Sequence, residues 1–213
     1  MRRIKSYKRP SKLREIIIKH IEYNLGLYIF LGVVFLIGIA LGIFFINSLS
    51  EGQEETIKNY ICEQINHVKF EDSHYLKALI VENILWIIGM WLAGITIVGI
   101  IINYVILIYK GFCIGYTISA ITISIGADKA LLFIFSGMFL QNILLIPALI
   151  GTAVSGMRFF KEIFKNRDKE TLILGIIRHT LFSTLMGIIA ISAAFTEIFI
   201  SNQILKMVIK YII

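Results

Sequence analysis

The chain has 213 residues, 57% of them hydrophobic, only 16% charged, with two prolines and a net charge of +7. A water-soluble domain of this length carries roughly 25% charged residues and shorter apolar runs, so composition excludes a soluble globular protein. The excess of positive charge is confined to flanks of apolar runs, which argues against nucleic-acid binding and for a membrane surface.

Residues 1–24 hold eight Lys/Arg against Glu15 and Glu22. Ser11–Asn24 alternates basic and apolar residues at helical spacing, with Glu15 and Lys19 four apart, predicting an amphipathic helix on the inner membrane surface. The uncharged run 25–46 is long enough to cross a hydrocarbon core of about 30 Å, and too long for the ~7–15-residue core of a cleaved signal. It is read as a retained first span running outward. Segment 47–80 is the one sizeable soluble stretch. Its apolar positions Ile57, Ile61, Ile65 and Val68 fall on a helical period, predicting an amphipathic outer helix. Glu51, Glu54, Glu55, Ile57 and Ile61 on that helix are the expected partner-docking residues.

The apolar run 84–109 is long for one crossing, and 111–125 alone is short. A turn at Gly99–Asn103 resolves both and gives spans at 82–99 and 103–125. Lys110 then lies inside a span, about 10 Å from its inner end at 1.5 Å per residue. At that depth lysine either snorkels to the interface or lines a polar site between helices. Gly126–Lys129 forms an outer turn. The fourth span, 130–156, carries Gln141, Asn142 and Pro147; the proline frees a carbonyl near Ile143 and bends the helix. Residues 158–170 form a basic inner loop. The fifth span, 179–200, has Arg178 and His179 at its inner end and Glu197 near its outer end. The tail 201–213 is too short and charged to cross again.

The expected architecture is therefore an all-α integral membrane protein. It comprises a basic segment 1–24 and a single five-span membrane domain, 25–213, with the N-terminus cytoplasmic and the C-terminus outside. This places fifteen of the 21 Lys/Arg on the inner side, as the positive-inside rule requires.

Catalytic chemistry is not visible. The chain lacks a HExxH zinc motif, a GxSG nucleophile and paired intramembrane aspartates. His20, His67, His74 and His179 do not have metal-ligand spacing, and Cys62 and Cys113 cannot build a disulfide framework. No catalytic, cofactor-binding or metal-ligating residue is expected. What remains is a sparse intramembrane polar set: Glu82, Asn83, Lys110, Gln141, Asn142 and Glu197. Glu82 and Glu197 are expected at outer span ends, and the amides as interhelical hydrogen-bonding glue. Gly111 and Gly115 form a small-xxx-small pair that permits close helix packing, within the chain or across a homo-oligomer.

The stretches "YKGFCIGYT", "FLQNILLIPALI" and "AAFTEIFIS", taken in order, resemble the stage II sporulation protein M family of bacterial multi-pass proteins. The specific points are Gly111/Gly115, Gln141-Asn142 with Pro147, and Glu197; Ser201-Asn202 departs from the threonine-proline often found there. The resemblance implies a role in endospore formation, in the mother-cell membrane at the septum. It implies a complex with two peptidoglycan hydrolases, sporulation proteins D and P, that thins septal wall and drives engulfment. The chain would be the scaffold that recruits them, with anionic lipid headgroups at its basic flanks. The alternative is a channel or transporter component with Lys110, Gln141, Asn142, Glu82 and Glu197 along a path.

Overall fold

The computed structural model describes residues 21–66, 73–96, 98–165 and 169–212. The expected amphipathic segment before Ile21, and Val68 of the outer stripe, lie outside the described residues. Helices α1 (Leu25–Asn47), α2 (Glu51–Asn66), α3 (Ser73–Ile95) and α4 (Gly99–Ile125) come first. They are followed by α5 (Ala127–Ile134), α6 (Leu140–Lys165), α7 (Lys169–Thr196) and α8 (Asn202–Ile212). Two five-residue π turns, Phe135–Phe139 and Glu197–Ser201, join α5 to α6 and α7 to α8. The described residues contain no strand, and five helical runs are long and apolar enough to cross a membrane.

Apolar residues in this bundle face outward as well as inward. Leu36, Phe44, Leu85 and Leu181 are among its exposed large side chains. That is the expected arrangement where the surroundings are lipid and burial of apolar surface gives no preference for the interior. Close packing then rests on small residues. Helices α1 and α4 form the most extensive pairing, and they run parallel. A Cβ on Gly38 or Gly42 would collide with the backbone of α4 at Ile108 and Phe112, and one on Gly111 or Gly115 with that of α1 at Phe35 and Ile39. The two small-xxx-small pairs interlock. The Gly111/Gly115 pair therefore packs within the chain, and its complement is Gly38-Ile-Ala-Leu-Gly42. A second close approach joins α3 to α6, where a Cβ on Gly156 would lie 2.7 Å from the Gly94 Cα.

The boundaries differ from the sequence-based expectation at three places. Helix α3 ends at Ile95 and α4 already begins at Gly99, so the turn precedes Gly99 rather than covering 99–103. Thr96 makes it: its hydroxyl donates to the Ala93 carbonyl at 3.1 Å and accepts the Gly99 N–H at 3.0 Å. Gly99 itself packs against Ala93 so closely that a side chain would strike the backbone. Asn103, expected in the turn, is instead a fully buried residue of α4. Similarly, the outer turn after α4 is a single residue, Gly126, at φ 85°, a left-handed conformation that favours glycine; Asp128 and Lys129 already belong to α5.

Thirdly, the last two crossings are much longer than expected. The runs 127–163 and 169–208 count 37 and 40 residues, about 55 and 60 Å at 1.5 Å per residue. Both extend past a hydrocarbon layer of ~30 Å. Consequently His179, expected at an inner span end, lies ten residues inside α7 and is buried. The tail 202–212 is helix α8, which packs back on the first π turn, with Leu205 buried where a Cβ on Gly137 would lie 3.5 Å from it. Pro147 lies within α6, and the helix continues through it.

Candidate functional site

Among the described residues, helix α3 takes part in most of the side-chain hydrogen bonds that join one helix to another. Glu82 lies thirteen residues before the end of α3, and Lys110 eleven residues after the start of α4. Both are therefore at similar depth, about 16–20 Å from the shared turn by helical rise. Lys110 Nζ donates to Glu82 Oε1 at 2.9 Å. Trp86, one turn further along α3, donates its indole N–H to the same carboxylate oxygen at 3.1 Å. The ammonium also sits over the Trp86 ring, 4.4 Å from its centre, a cation–π contact. Tyr109 packs beside that ring. Lys110 thus faces protein and is 17% exposed, whereas Glu82 is 59% exposed at the bundle surface. The expectation that Glu82 opens a span at the outer interface is corrected: α3 begins at Ser73, so Glu82 is well inside it.

Glu197 occupies the first position of the second π turn. Its Oε1 accepts the Tyr75 hydroxyl at 2.7 Å, linking the end of α7 to the start of α3. Its Oε2 and the Ser201 hydroxyl, four residues on, are buried without a hydrogen-bond partner. The two π turns lie against each other, and Ser136 of the first is also buried. A π turn inserts an extra residue and displaces carbonyls from the regular ladder, a feature frequent at functional sites. Asn142 answers one of these: its side-chain amide donates to the Met138 carbonyl at 2.8 Å. The expectation that Asn142 bridges helices is therefore replaced by a bond within its own helix. Gln141 is half-buried beside it. Asn83 does make the interhelical bond expected of an intramembrane amide, donating to the Ala190 carbonyl of α7 at 3.1 Å.

A second polar centre sits toward the basic end, where α3, α6 and α7 meet. His179 is 1% exposed; its Nδ1 is 2.9 Å from the Ser155 hydroxyl and its Nε2 3.2 Å from the Trp91 carbonyl. Phe159 stacks on the imidazole, and the Trp91 indole donates to the Thr180 hydroxyl at 3.1 Å. The Gly94–Gly156 crossing is what lets His179 reach both neighbours, since a Cβ on Gly94 would lie 2.6 Å from its Nε2.

Outside the membrane-crossing runs, α2 packs against α4. Ile57 and Ile61 are half-buried on it, while Glu51, Glu54 and Glu55 are exposed. Among the described residues no group of three His, Cys, Asp or Glu side chains could hold a metal ion.

Sequence reasoning identified Glu82, Lys110, Asn142 and Glu197 but not their partners Trp86, Tyr75 and Met138, nor the His179–Ser155–Trp91 joint. The Gly38/Gly42 pair was legible as a second small-xxx-small motif.

Five long apolar helices, closed around one another by glycine crossings and a few buried polar bonds, define a multi-pass helical membrane protein. The sequence model of Stage II sporulation protein M matches residues 31–202, which spans all five crossings. The chain belongs to that family, and it is a sporulation-related membrane protein. No curated protein and no solved structure matches it.

Proposed function

We propose that the chain is a non-enzymatic membrane scaffold that recruits and positions peptidoglycan hydrolases of the sporulation D and P type. It would act in the mother-cell membrane at the septum, for wall thinning and engulfment. The observation that carries this reading is the exposed acidic face of α2, Glu51, Glu54 and Glu55, on a helix held against α4. With five crossings, that helix lies at the end opposite the basic stretch 158–170. With the basic end cytoplasmic, as the charge rule prefers, α2 faces the cell wall. The main intramembrane charges also neutralise each other at Lys110 and Glu82, which favours a structural role for them.

The test is affinity capture of the tagged protein from its own host during spore formation, in mild detergent. Two wall hydrolases should co-purify, and E51K/E54K/E55K should release them while membrane insertion stays normal. Unchanged capture by that variant would remove α2 as the docking face. A second reading, transport through the bundle, draws on the unpaired buried oxygens of Glu197 and Ser201; absence of solute flux in reconstituted vesicles would sink it.

A further inference from the structure

A cavity of about 960 Å³ opens between α6 and α7 at the basic end of the bundle. This is at the upper end of the roughly 300–1,000 Å³ range of small-molecule sites. Arg158, Arg178, Ser155 and the buried His179 line its basic end together with Glu162, and Thr184 lies further along α7. Its other end is an apolar stripe of α7, Leu181, Leu185 and Ile188, spaced at four and three residues and so on one helix face. Leu181 and Ile188 are exposed. From Arg178 to Ile188 the helix rises about 15 Å, half of a ~30 Å hydrocarbon core and therefore the depth of one leaflet.

Of the two guanidinium groups at the mouth, Arg158 is partly engaged within the protein, by Glu162, which also lines the cavity. Arg158 gives its Nε–H to Glu162 at 3.0 Å, which leaves its two terminal NH2 groups for another acceptor. Arg178 is exposed and forms no ion pair with any described residue. Guanidinium groups bind phosphate in bidentate fashion. The floor is fixed rather than pliant, because Phe159 is wedged between the His179 ring and Gly175, where a Cβ would lie 2.7 Å from the Phe159 ring.

We propose that this cavity binds one anionic phospholipid of the surrounding leaflet. Its phosphate sits between Arg158 and Arg178, and one acyl chain runs along Leu181, Leu185 and Ile188. The charge at the mouth and the leaflet-deep apolar wall belong to one continuous site, which a free anion would fill only in part. The inference is independent of the scaffold reading.

Native mass spectrometry of the purified full-length protein tests it, with phosphatidylglycerol and phosphatidylcholine of matched chains added in turn. Phosphatidylglycerol should be retained about tenfold better, and R158Q/R178Q should abolish that preference. K161Q/K169Q, which removes two exposed charges near the same end of α6 and α7 from outside the cavity lining, should keep it. L185W, which fills the apolar wall, should lower retention of both lipids while the protein stays monodisperse. Equal losses in the two charge variants would assign the effect to diffuse surface attraction and overturn the site. Full retention by L185W, or displacement of the lipid by inorganic phosphate alone, would overturn the acyl seat.

Discussion

Lys110 of α4 and Glu82 of α3 form an ion pair at 2.9 Å, with the Trp86 indole bonded to the same carboxylate oxygen. The pair lies near mid-depth, where an unpaired charge costs on the order of 2–3 kcal/mol by insertion scales. K110M leaves the Glu82 carboxylate unpaired and should destabilise the bundle by about that amount. The double variant K110M/E82L removes both charges and should recover most of the loss. Reversible unfolding in mixed detergent micelles measures the cycle. Strictly additive effects would mean that the two side chains do not stabilise each other.

The α1–α4 crossing makes a sharper steric prediction. G115A places a methyl group against the Ile39 backbone, which cannot move as a flexible side chain can, and should cost about 1–3 kcal/mol. G32A is the control: nothing lies within 4 Å of a Cβ there. Alanine also has the better helix propensity, so G32A should be neutral or stabilising by up to about 1 kcal/mol. Equal thermal stability of the two variants would argue against the interlocked glycines.

The five crossings, the intramembrane position of Lys110 and the tight packing of Gly111 and Gly115 were all legible in the sequence, because they follow from span length and residue size. The Lys110–Glu82 pair was not, and the reason is specific. With a turn at 99–103 Lys110 sits seven residues from it and Glu82 seventeen; with α3 ending at Ile95 and α4 starting at Gly99 the distances become thirteen for Glu82 and eleven for Lys110, and the two meet. That placement depended on Thr96 and on the backbone contact at Gly99, neither of which carries a periodic signal. The start of α3 was hidden because His74 and Lys77 make its first turns resemble the soluble segment, although the helix continues unbroken into the membrane. The π turns arise from how α5–α6 and α7–α8 fit together, which composition does not encode.

Tyr75 and Glu197 supply a third prediction. Tyr75 gives this carboxylate its hydrogen bond, to Oε1, while Oε2 is already without one. Y75F should therefore cost at most about 1.5–3 kcal/mol, the range for a hydrogen bond to a charged group. E197Q retains a carbonyl acceptor for the Tyr75 hydroxyl and should be the milder change. A Y75F protein as stable as the parent in thermal unfolding would show that the contact contributes nothing to holding α7 against α3.

Asn83 and Asn103 are both fully buried and differ in one respect: Asn83 bonds to the Ala190 carbonyl at 3.1 Å, whereas both side-chain polar atoms of Asn103 lack a protein partner. Asn103 lies beside the Gly94–Gly156 crossing, its amide nitrogen 3.6 Å from a Cβ built on Gly156. Removing the two amides should have unequal effects. N83A breaks the interhelical bond to the buried Ala190 carbonyl, costing roughly 1–2 kcal/mol. N103A removes an unpaired polar group, and the relief offsets much of the small cavity it leaves, so its net change should be near zero. Measured side by side, a loss at N103A equal to or above that at N83A would mean that Asn103 has a bound partner in the folded protein, and an ordered water at the three-helix joint would then be the first species to look for.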